Sequence, residues 1–370
     1  MIMKPLTEFC TLNMGQSPDS KTYNDHGNGL PFYQGNADFG EIHPETRVWC
    51  SVPVKIAEAD DILISVRAPI GAMNIATERC CIGRGLAALT PIGEKCGKQF
   101  LYYALQSKVD SLIAQGTGST FKAISKKVLE ATLIPAYSIH EQEQITATIG
   151  HVDRAIAARR SQIVLIDQLV KSRFIELFGD PVLNQHGWQK AALEANATLL
   201  NGRAYKQDEL LDSGKYPVLR VGNLFSNRGW YYSDLELDDD KYCDNGDLLY
   251  AWSASFGPQI WNGGKVIYHY HIWKVLVGEA YNKQFLCMLL EYATESLMGD
   301  THGIAMMHLT KSGMEKTEFI VPPIELQEQF AAFVEQTNKS KYYSSLSYHL
   351  CRQAASYYRQ EWMTCRTSNS

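Results

Sequence analysis

The sequence predicts an α+β protein with two tandem mixed α/β domains, separated by two long helices that form an antiparallel coiled coil with pseudo-twofold symmetry. Three observations predict this. A heptad-spaced apolar stripe follows residues 141–178, short motifs recur about 186 residues later, and a Gln-Glu-Gln signal opens a long helical stretch after each copy. The predicted segments are a first domain over 1–140, a central helix over 141–179, a second domain over 180–324 and a C-terminal helix over 325–366.

The central helix is predicted from apolar side chains at alternating steps of three and four. No proline lies between Pro135 and Pro181, so nothing interrupts the helix. At about 1.5 Å per residue it would be about 57 Å long, more than one globular core needs. Arg159 and Arg173 interrupt the stripe, as registry or partner contacts or as salt-bridged seam positions. The predicted seam comprises Ile145, Ile149, Val152, Ile156, Ile163, Ile166, Val170 and Leu177, with Phe330 and Val334 in the second helix.

An internal repeat supports the two-domain prediction. The strand motif Asp61-Ile62-Leu63-Ile64 recurs as Asp247-Leu248-Leu249-Tyr250, and Gly71 recurs as Gly257, each 186 residues later. Each copy closes with a strand that ends in proline, followed by the Gln-Glu-Gln signal of a long helix. Such self-similarity indicates a duplicated unit of short strands, turns and helices.

Composition limits the functional classes. The 370 residues carry a formal net charge of −5 and nine cysteines without a CxxC pair, which favours reduced structural thiols. No apolar run is long enough to cross a bilayer, and no signal-peptide pattern is present, so we expect a cytoplasmic protein. The negative net charge lowers the expectation of nucleic-acid binding, although the local distribution of charge decides it, and Lys122–Lys127 is basic.

Sequence motifs for catalysis are missing. There is no P-loop, no G-x-S-x-G elbow and no Asn/Asp-Pro-Pro-Tyr/Phe loop of the kind that holds a flipped adenine. Gly83-Arg84-Gly85 and Gly116-Thr117-Gly118 lack the third glycine of a dinucleotide loop and are typical of tight turns. His269 and His271 alternate on a strand-like run, which would allow a metal pair, but no acidic or cysteine partner is suitably spaced, so packing or DNA contact is favoured. We therefore expect a chain that is not catalytic by itself and that binds no metal.

Several of these motifs occur in one known family. They are Gly15-Gln16-Ser17-Pro18, Asp61-Ile62-Leu63-Ile64-Ser65, Pro135 with Glu141-Gln142-Glu143-Gln144-Ile145, and the stretch from Pro322 to Val334. Because these motifs occur together and in this order, the chain resembles the specificity subunit of a type I restriction–modification system over essentially its whole length. The resemblance implies two target-recognition domains that each read one half of a bipartite DNA site, with the helices setting the gap and docking methyltransferase subunits.

The resemblance also implies partners and cofactors. The partners would be double-stranded DNA, two DNA methyltransferase subunits and restriction translocase/endonuclease subunits in a prokaryotic cytoplasm, with no membrane. No cofactor would bind this chain, and S-adenosylmethionine, ATP and magnesium would bind the partner subunits. Helices of about 57 Å can hold two readers about one to one and a half duplex turns apart. The alternative is a coiled-coil scaffold with two protein-binding domains and no DNA role.

DNA contacts are expected from polar and basic side chains on loops, because base edges and phosphates are read by such groups. The Arg67 and Arg220 loops in particular are predicted to contribute to binding. Asn36 and Asn223 have a rival role, in which the side chain stabilises a left-handed turn residue. The first-domain candidates are Gln16, Ser17, Lys21, Tyr23, Gln34, Asn36, Arg67, Arg84, Thr117, Ser119, Thr120 and Lys122. The second-domain candidates are Arg203, Tyr205, Lys206, Arg220, Asn223, Arg228, Trp252, Ser253, Ser255, Thr301, His302 and Lys311.

Overall fold

The computed structural model describes residues 2–118, 122–226, 228–253, 255–299 and 310–363. The chain divides into two compact units. Unit 1 comprises Met1–Arg160 and Leu346–Ser370, and unit 2 comprises Ser161–Ser345. Each unit therefore contains one strand-rich body together with a part of each long helix, so the unit boundaries fall inside the helices.

Unit 1 is a mixture of short strands and helices. Its strands are β1 (Met3–Pro5), β2 (Cys10–Met14), β3 (Tyr23–Asn24), β4 (Leu30–Tyr33), β5 (Trp49–Cys50), β6 (Ile56–Ala57), β7 (Ile62–Ser65), β8 (Met73–Ile75), β9 (Cys80–Ile82), β10 (Leu86–Pro91) and β11 (Leu133–Pro135). Its short helices are α1 (Lys98–Gln106), α2 (Val109–Ala114) and α3 (Lys126–Ala131), and the long helix α4 (Ile139–Phe178) begins in this unit.

The central sheet of unit 1 is antiparallel, in the order β2-β10-β7-β8. Strand β7 is fully buried because both of its faces are covered. Ile62 and Ile64 pack into the core that contains α1 and α2, whereas Leu63 packs on the opposite side with Tyr33 and Ile82. This period-two division of apolar side chains places β7 between two layers, with the five-stranded sheet β3-β5-β4-β9-β6 on the far side.

Unit 2 repeats this organisation. Its strands are β12 (Lys190–Ala192), β13 (Ala197–Asn201), β14 (Tyr216–Leu219), β15 (Tyr231–Ser233), β16 (Tyr242–Cys243), β17 (Leu248–Ser253), β18 (Ser255–Ile260), β19 (Val266–Tyr268), β20 (Ile272–Val277) and β21 (Glu318–Ile320). Its helices are α5 (Val221–Phe225), α6 (Lys283–Gly299) and α7 (Lys311–Lys316), and the second long helix α8 (Ile324–Met363) begins in this unit.

The central sheet and the two-stranded sheet of unit 2 have the same strand order as their counterparts in unit 1. The order β13-β20-β17-β18 corresponds to β2-β10-β7-β8, and the pair β12-β21 corresponds to β1-β11. Strand β17 is again covered on both faces, with Leu248 and Tyr250 in one core and Leu249 and Ala251 in the other. The second sheet differs, because it has four strands in the order β15-β14-β19-β16.

The ends of α4 follow from local sequence signals. The Ser138 backbone N–H donates to the Glu141 carboxylate at 2.8 Å, and the Glu141 N–H donates to the Ser138 hydroxyl at 3.4 Å, which forms a capping box. Gly179, at φ +73°, ends the helix by donating its N–H to the Ile175 carbonyl at 2.8 Å. The observed helix thus begins two residues before the predicted start and ends one residue before the predicted end. The second long helix begins at Ile324, one residue before its predicted start, and is described as far as Met363.

Burial along the predicted seam is uneven. Among its ten residues, Ile145, Ile149, Val170, Phe330 and Val334 are buried, whereas Val152, Ile156, Ile163, Ile166 and Leu177 are only half-buried. In unit 2 the deepest positions of α4 are instead Phe174 and Phe178, which pack on Phe285 and Phe330 at ring-centroid distances of 4.6–5.8 Å. The seam prediction missed these two phenylalanines because it followed a strict heptad, whereas this part of α4 packs on the aromatic core of the unit.

A buried glutamine anchors each long helix to its unit. Gln142 accepts a hydrogen bond from the Gly97 N–H at 2.9 Å and donates to the Lys95 and Tyr137 carbonyls, both at 2.9 Å. In unit 2, Gln327 accepts from the Asn282 N–H at 2.9 Å and donates to the Ala280 and Pro322 carbonyls, at 3.0 Å and 2.8 Å. Both side chains are at most 1% exposed. The Gln-Glu-Gln signal is therefore also a structural anchor, repeated at an offset of 185 residues.

Candidate nucleic-acid interface

The same three loops meet at one edge of each unit. In unit 1 this edge comprises residues 15–17 after β2, residues 34–38 after β4 and residues 83–85 between β9 and β10. The Gly83 N–H donates to the Tyr33 carbonyl at 2.8 Å, and the Gln16 N–H donates to the Ile82 carbonyl at 3.0 Å, which joins the loops. A Cβ at Gly15 would lie 2.1 Å from the Gly83 carbonyl oxygen, so only glycine allows this approach.

The edge of unit 2 is joined by equivalent hydrogen bonds. It comprises residues 202–204, 220–223 and 269–271. The His269 N–H donates to the Leu219 carbonyl at 2.9 Å, and the Arg203 N–H donates to the Tyr268 carbonyl at 3.0 Å. A Cβ at Gly202 would lie 2.4 Å from the His269 carbonyl oxygen, as at Gly15. The two edges therefore share one backbone arrangement and differ in their side chains.

The edge of unit 1 brings together four of the predicted contact residues. Gln34, Asn36, Arg67 and Arg84 line one open cleft of about 320 Å³. Arg67 enters it because the Val66 N–H donates to the Gly85 carbonyl at 2.9 Å, which holds the end of β7 against the loop at residues 83–85. Side chains from three separated segments thus converge on one surface.

The cleft is locally basic. Arg67 and Arg84 are both exposed. Among the described residues of unit 1, the arginines that form salt bridges are Arg47, Arg79, Arg160 and Arg359, so neither cleft arginine is paired in this way. The carboxylate of Asp38, which also lines the cleft, accepts hydrogen bonds from the Gln34 and Gly35 N–H groups at 2.7 Å and 3.3 Å. That carboxylate therefore stabilises its own loop. The two exposed guanidinium groups are available to an anionic or hydrogen-bonding ligand.

The remaining described candidates of unit 1 are exposed or take part in local hydrogen bonds and packing. Gln16, Lys21, Thr117 and Lys122 are exposed, and the Ser17 hydroxyl accepts from the Arg84 N–H at 3.3 Å. Residues 117 and 123 exchange backbone hydrogen bonds next to Arg67. Ser119 and Thr120 lie outside the described residues.

Tyr23 is held by the fold of unit 1. Its hydroxyl donates to the Pro18 carbonyl at 2.9 Å, and its ring stacks on Phe32 with centroids 4.7 Å apart. Its side chain therefore supports the loop after β2.

In unit 2 the predicted basic contacts are largely occupied by neighbours. Arg203 donates two hydrogen bonds to the Glu209 carboxylate, at 2.8 Å and 2.7 Å, and lies 5.2 Å from the Tyr205 ring centroid. The bidentate pair raises the pKa of Arg203 and lowers that of Glu209 to about 2. The Tyr205 hydroxyl contacts the Tyr268 carbonyl at 3.4 Å, and burial raises the pKa of Tyr205. Lys206 is exposed.

Arg220 and Asn223 stabilise their own loop. The Arg220 guanidinium lies 4.2 Å from the Tyr231 ring centroid and donates to the Gly229 carbonyl at 3.0 Å. The Asn223 side chain accepts from the Arg220 N–H at 3.2 Å and donates to the Arg228 carbonyl at 2.9 Å, while the Arg228 side chain is exposed.

Asn36 and Asn223 do not have the predicted rival role of stabilising a left-handed turn residue. Neither has a positive φ, which the described non-glycine residues show only at Asp60 and Asn184. The counterpart of Asn223 is Asp38 rather than Asn36, because Asp38 makes the matching bond to the Gly35 N–H. The loop therefore stays helical or extended, and the side-chain cap sits two positions later in unit 1.

The other unit 2 candidates are spread over two regions. Trp252 stacks on Trp273 with centroids 5.8 Å apart, and Ser253 and Ser255 face each other at the end of the β17–β18 hairpin. Lys311 lies in the first turn of α7, 3.5 Å from Glu315. Thr301 and His302 lie outside the described residues.

The loop at His269, Tyr270 and His271 is not in the list of predicted contact residues, although the sequence left DNA contact open for its two histidines. It corresponds to residues 83–85 at the offset of 186, so the repeat contained the signal: Arg84 was selected and its counterpart Tyr270 was not. The Tyr270 ring lies 4.5 Å from the His269 ring and 4.0 Å from the His271 ring, centroid to centroid. Burial lowers the pKa of His269 to about 4, with further lowering from His271 and Arg220, and burial also lowers the pKa of His271.

Two other kinds of site are absent from the described residues. No group of three or more His, Cys, Asp or Glu side chains there is arranged to hold a metal ion. None of the helices in that part of the chain combines the length and apolar character needed to cross a membrane.

Comparison with known proteins identifies the family of this two-unit chain. The family described as the type I restriction modification DNA specificity domain matches residues 2–165 and 185–341, one match for each copy of the repeat. The chain belongs to this family. The resemblance inferred from the repeated motifs is therefore confirmed.

Individual relatives of this specificity-domain protein cover it to different extents. The putative type I restriction enzyme MjaX specificity subunit of Methanocaldococcus jannaschii is 42% identical over 164 residues, which are 44% of this chain and 39% of that protein. The MjaVIII specificity subunit of the same organism is 23% identical over 266 residues, 63% of this chain and 61% of that protein. The matches thus span less than two thirds of these relatives.

A solved structure agrees with the fold. The crystal structure of the type I restriction–modification S subunit from M. genitalium matches with a TM-score of 0.59 and covers 99% of this chain and 96% of that one. At 14% sequence identity, the agreement concerns the fold alone. The specificity-domain protein is therefore an α+β chain of two repeated mixed units with long helices.

Proposed function

We propose that this chain is the DNA-recognition subunit of a type I restriction–modification complex, in which each unit reads one half of a bipartite site. One observation carries the proposal: the two edges share their backbone hydrogen bonds but present different side chains. A constant support with variable loops suits two readers of different sequences, because loops on a rigid scaffold carry specificity.

The cleft of unit 1 supports recognition in the major groove. An arginine fork suits the O6 and N7 atoms of guanine, and glutamine or asparagine amides suit the N6 and N7 atoms of adenine. Arg67, Arg84, Gln34 and Asn36 supply both types of group on one surface. The net charge of −5 does not oppose this, because Arg67 and Arg84 concentrate positive charge at the cleft.

The long helices are proposed to pair antiparallel and to set the spacing of the half-sites. Two contacts, one within each unit, support this pairing. Asp153 of α4 pairs with Arg359 of α8 in unit 1, and Asp167 of α4 pairs with Lys341 of α8 in unit 2. Later positions in α4 thus meet earlier positions in α8, as in an antiparallel coiled coil. Pseudo-twofold symmetry would follow from the repeat.

The far end of α8 supports the same pairing. In unit 1, Ala355 is 3% exposed, and the Tyr137 hydroxyl donates to the Trp362 carbonyl at 3.0 Å. The last turns of α8, from Ala355 to Trp362, are therefore packed against unit 1.

The helices are also proposed to dock two methyltransferase subunits. In unit 2, Val164, Leu165 and Leu169 of α4 are 51–61% exposed and adjoin one another, and contiguous exposed apolar side chains mark interaction sites. We propose that S-adenosylmethionine, ATP and magnesium bind the methyltransferase and restriction translocase/endonuclease subunits, which carry the chemistry. The missing methyltransferase and P-loop sequence motifs support this assignment.

The docking proposal is tested with Leu165→Glu and Leu169→Glu. Each change places a charge on the exposed apolar stripe, and we expect co-purification of the methyltransferase subunit to fall at least tenfold, about 1.4 kcal/mol. Gln336→Glu adds the same charge at an exposed polar position of α8 in the same unit, outside the apolar stripe, and serves as the control. Unchanged assembly of both leucine variants would place the methyltransferase elsewhere.

DNA recognition is tested with the assembled complex and a target identified by mapping methylated adenines in cells with and without this chain. We expect Arg67→Ala and Arg84→Ala each to weaken binding of the target duplex by about 1–3 kcal/mol if they contact bases. A contact to phosphate would instead lower the salt slope by about 1. Arg79→Ala removes an exposed arginine that pairs with Glu58 in the same unit, and should change neither quantity.

The scaffold alternative gives a different result. Under it, the assembled complex would show no preference for the target duplex, and both cleft variants would bind DNA as the wild type does. Sequence-dependent binding that both arginine variants weaken would exclude the scaffold.

A further inference from the structure

The turn between β19 and β20 holds Tyr270 at the position that Arg84 occupies in unit 1. Three pairs of backbone hydrogen bonds establish the equivalence. The N–H groups of residues 83 and 269 donate to the carbonyls at the ends of β4 and β14. Those of residues 86 and 272 donate to the carbonyls of residues 83 and 269. Those of residues 66 and 252 donate to the carbonyls of residues 85 and 271. The bond lengths are 2.8–3.0 Å throughout.

Tyr270 is held in place and yet reaches the surface. Its ring contacts those of both His269 and His271, and the Trp252 indole N–H donates to its backbone carbonyl at 2.9 Å. The Trp252 ring also meets the His271 ring edge-on, with centroids 5.0 Å apart. With 38% of the residue exposed, Tyr270 presents an ordered aromatic ring rather than a solvated loop side chain.

The two arginines next to the Tyr270 loop, Arg203 and Arg220, are already occupied by other side chains. The nearby guanidinium of Arg203 is bound by Glu209, and that of Arg220 lies on Tyr231. The lowered pKa values of His269 and His271 keep both imidazoles neutral at pH 7. Contacts of this loop with DNA would therefore depend on shape, apolar contact and neutral hydrogen bonds rather than on ion pairing.

We infer that Tyr270 is a specificity-determining residue of unit 2, whose ring contacts the C5-methyl group of a thymine in the half-site that this unit reads. Apolar side chains recognise thymine in the major groove through that methyl group, whereas an arginine such as Arg84 suits guanine. The inference rests on the proposed DNA-recognition function. It assigns unlike base preferences to equivalent positions of the two units.

The test uses the complex assembled with its methyltransferase subunit and the mapped target duplex. Each thymine in the half-site read by unit 2 is replaced in turn by uracil, which lacks only the methyl group. We expect one replacement to weaken wild-type binding about fivefold, and Tyr270→Ala to weaken binding of the thymine duplex about tenfold. The variant should then bind thymine and uracil duplexes equally.

Salt dependence gives a second readout. Tyr270→Ala should leave the slope of log K against log salt unchanged, whereas Tyr270→Arg should steepen it by about 1 if the new guanidinium reaches a phosphate. Leu276→Ala is the matched control, because Leu276 lies on β20 with 45% exposure. Thermal unfolding of each variant checks that the unit remains folded, and the uracil series on the wild type needs no variant.

The outcomes separate the two proposals. A wild-type complex without preference for the target would overturn DNA recognition and this inference together. A complex that discriminates but tolerates every uracil replacement, or a Tyr270→Ala complex with wild-type affinity and uracil sensitivity, would overturn the Tyr270 assignment alone.

Discussion

The two edges of this molecule share a backbone and differ in how their charge is used. At the edge of unit 1, Arg67 and Arg84 are exposed in a cleft that is lined mostly by glycine, alanine, serine and amide side chains. At the edge of unit 2, Arg203 is bound by Glu209, Arg220 lies on Tyr231, and the counterpart of Arg84 is Tyr270. The difference teaches that the repeated part of the chain fixes where side chains are presented, while local partners decide whether a given side chain is available.

The largest expected effect tests whether the shared support is equally important in both units. Gln142→Leu and Gln327→Leu each leave two carbonyls and one N–H buried without a partner, which we expect to lower the free energy of unfolding by about 3 kcal/mol. Gln144→Leu is the control, because Gln144 is exposed in the same helix. Denaturant unfolding followed by circular dichroism measures the change.

Similar losses in the free energy of unfolding for Gln142→Leu and Gln327→Leu would show that the two glutamine anchors are equally important in the two units. A loss at one position and none at the other would break the comparison, since one anchor would then carry no structural role. A loss as large for Gln144→Leu would show that helix substitutions destabilise generally.

A smaller effect tests the difference between the edges. His269 has a pKa of about 4 in the folded chain, against an ordinary value of about 6.5. Because the unfolded chain takes up the proton first, stability should be complete above about pH 6.5 and fall as the pH drops toward 4. The groups that act on this imidazole are His271 and Arg220, both of which disfavour its protonation.

The measurement is thermal unfolding between pH 7 and pH 4.5, followed by tryptophan fluorescence, to which Trp252 beside His271 contributes. His269→Gln should flatten the acid limb of the profile, whereas His26→Gln, an exposed site in unit 1, should leave it unchanged. Identical profiles for the wild type and His269→Gln would show that the histidine loop does not distinguish the two edges.

Much of the architecture could be predicted from sequence because it depends on local and repeated signals. The offset of 186 residues located equivalent strands, and Ser138 with Glu141 and Gly179 with Pro181 marked the ends of α4. The convergence of Gln34, Asn36, Arg67 and Arg84 on one cleft also follows the sequence-based choice of loops. Whether these residues contact DNA stays a prediction, as do the domain boundaries.

What could not be predicted depends on contacts between distant segments. Nothing in the sequence near Arg220 shows that Tyr231 covers its guanidinium, and heptad spacing does not reveal that Phe174 meets Phe285. Tyr270 is a different case, since the repeat maps it directly onto Arg84. It was missed because the two loops share no residue type, although their backbones are bonded alike.

The division of the chain into units has a consequence for protein synthesis. Unit 2 is one uninterrupted stretch, whereas unit 1 is made of an early segment and a late one. On the ribosome, unit 2 can complete its contacts as soon as Ser345 emerges. The partners that Asp153 and Tyr137 find at Arg359 and Trp362 arrive last. The half of the molecule that is translated first is therefore the half that is finished last.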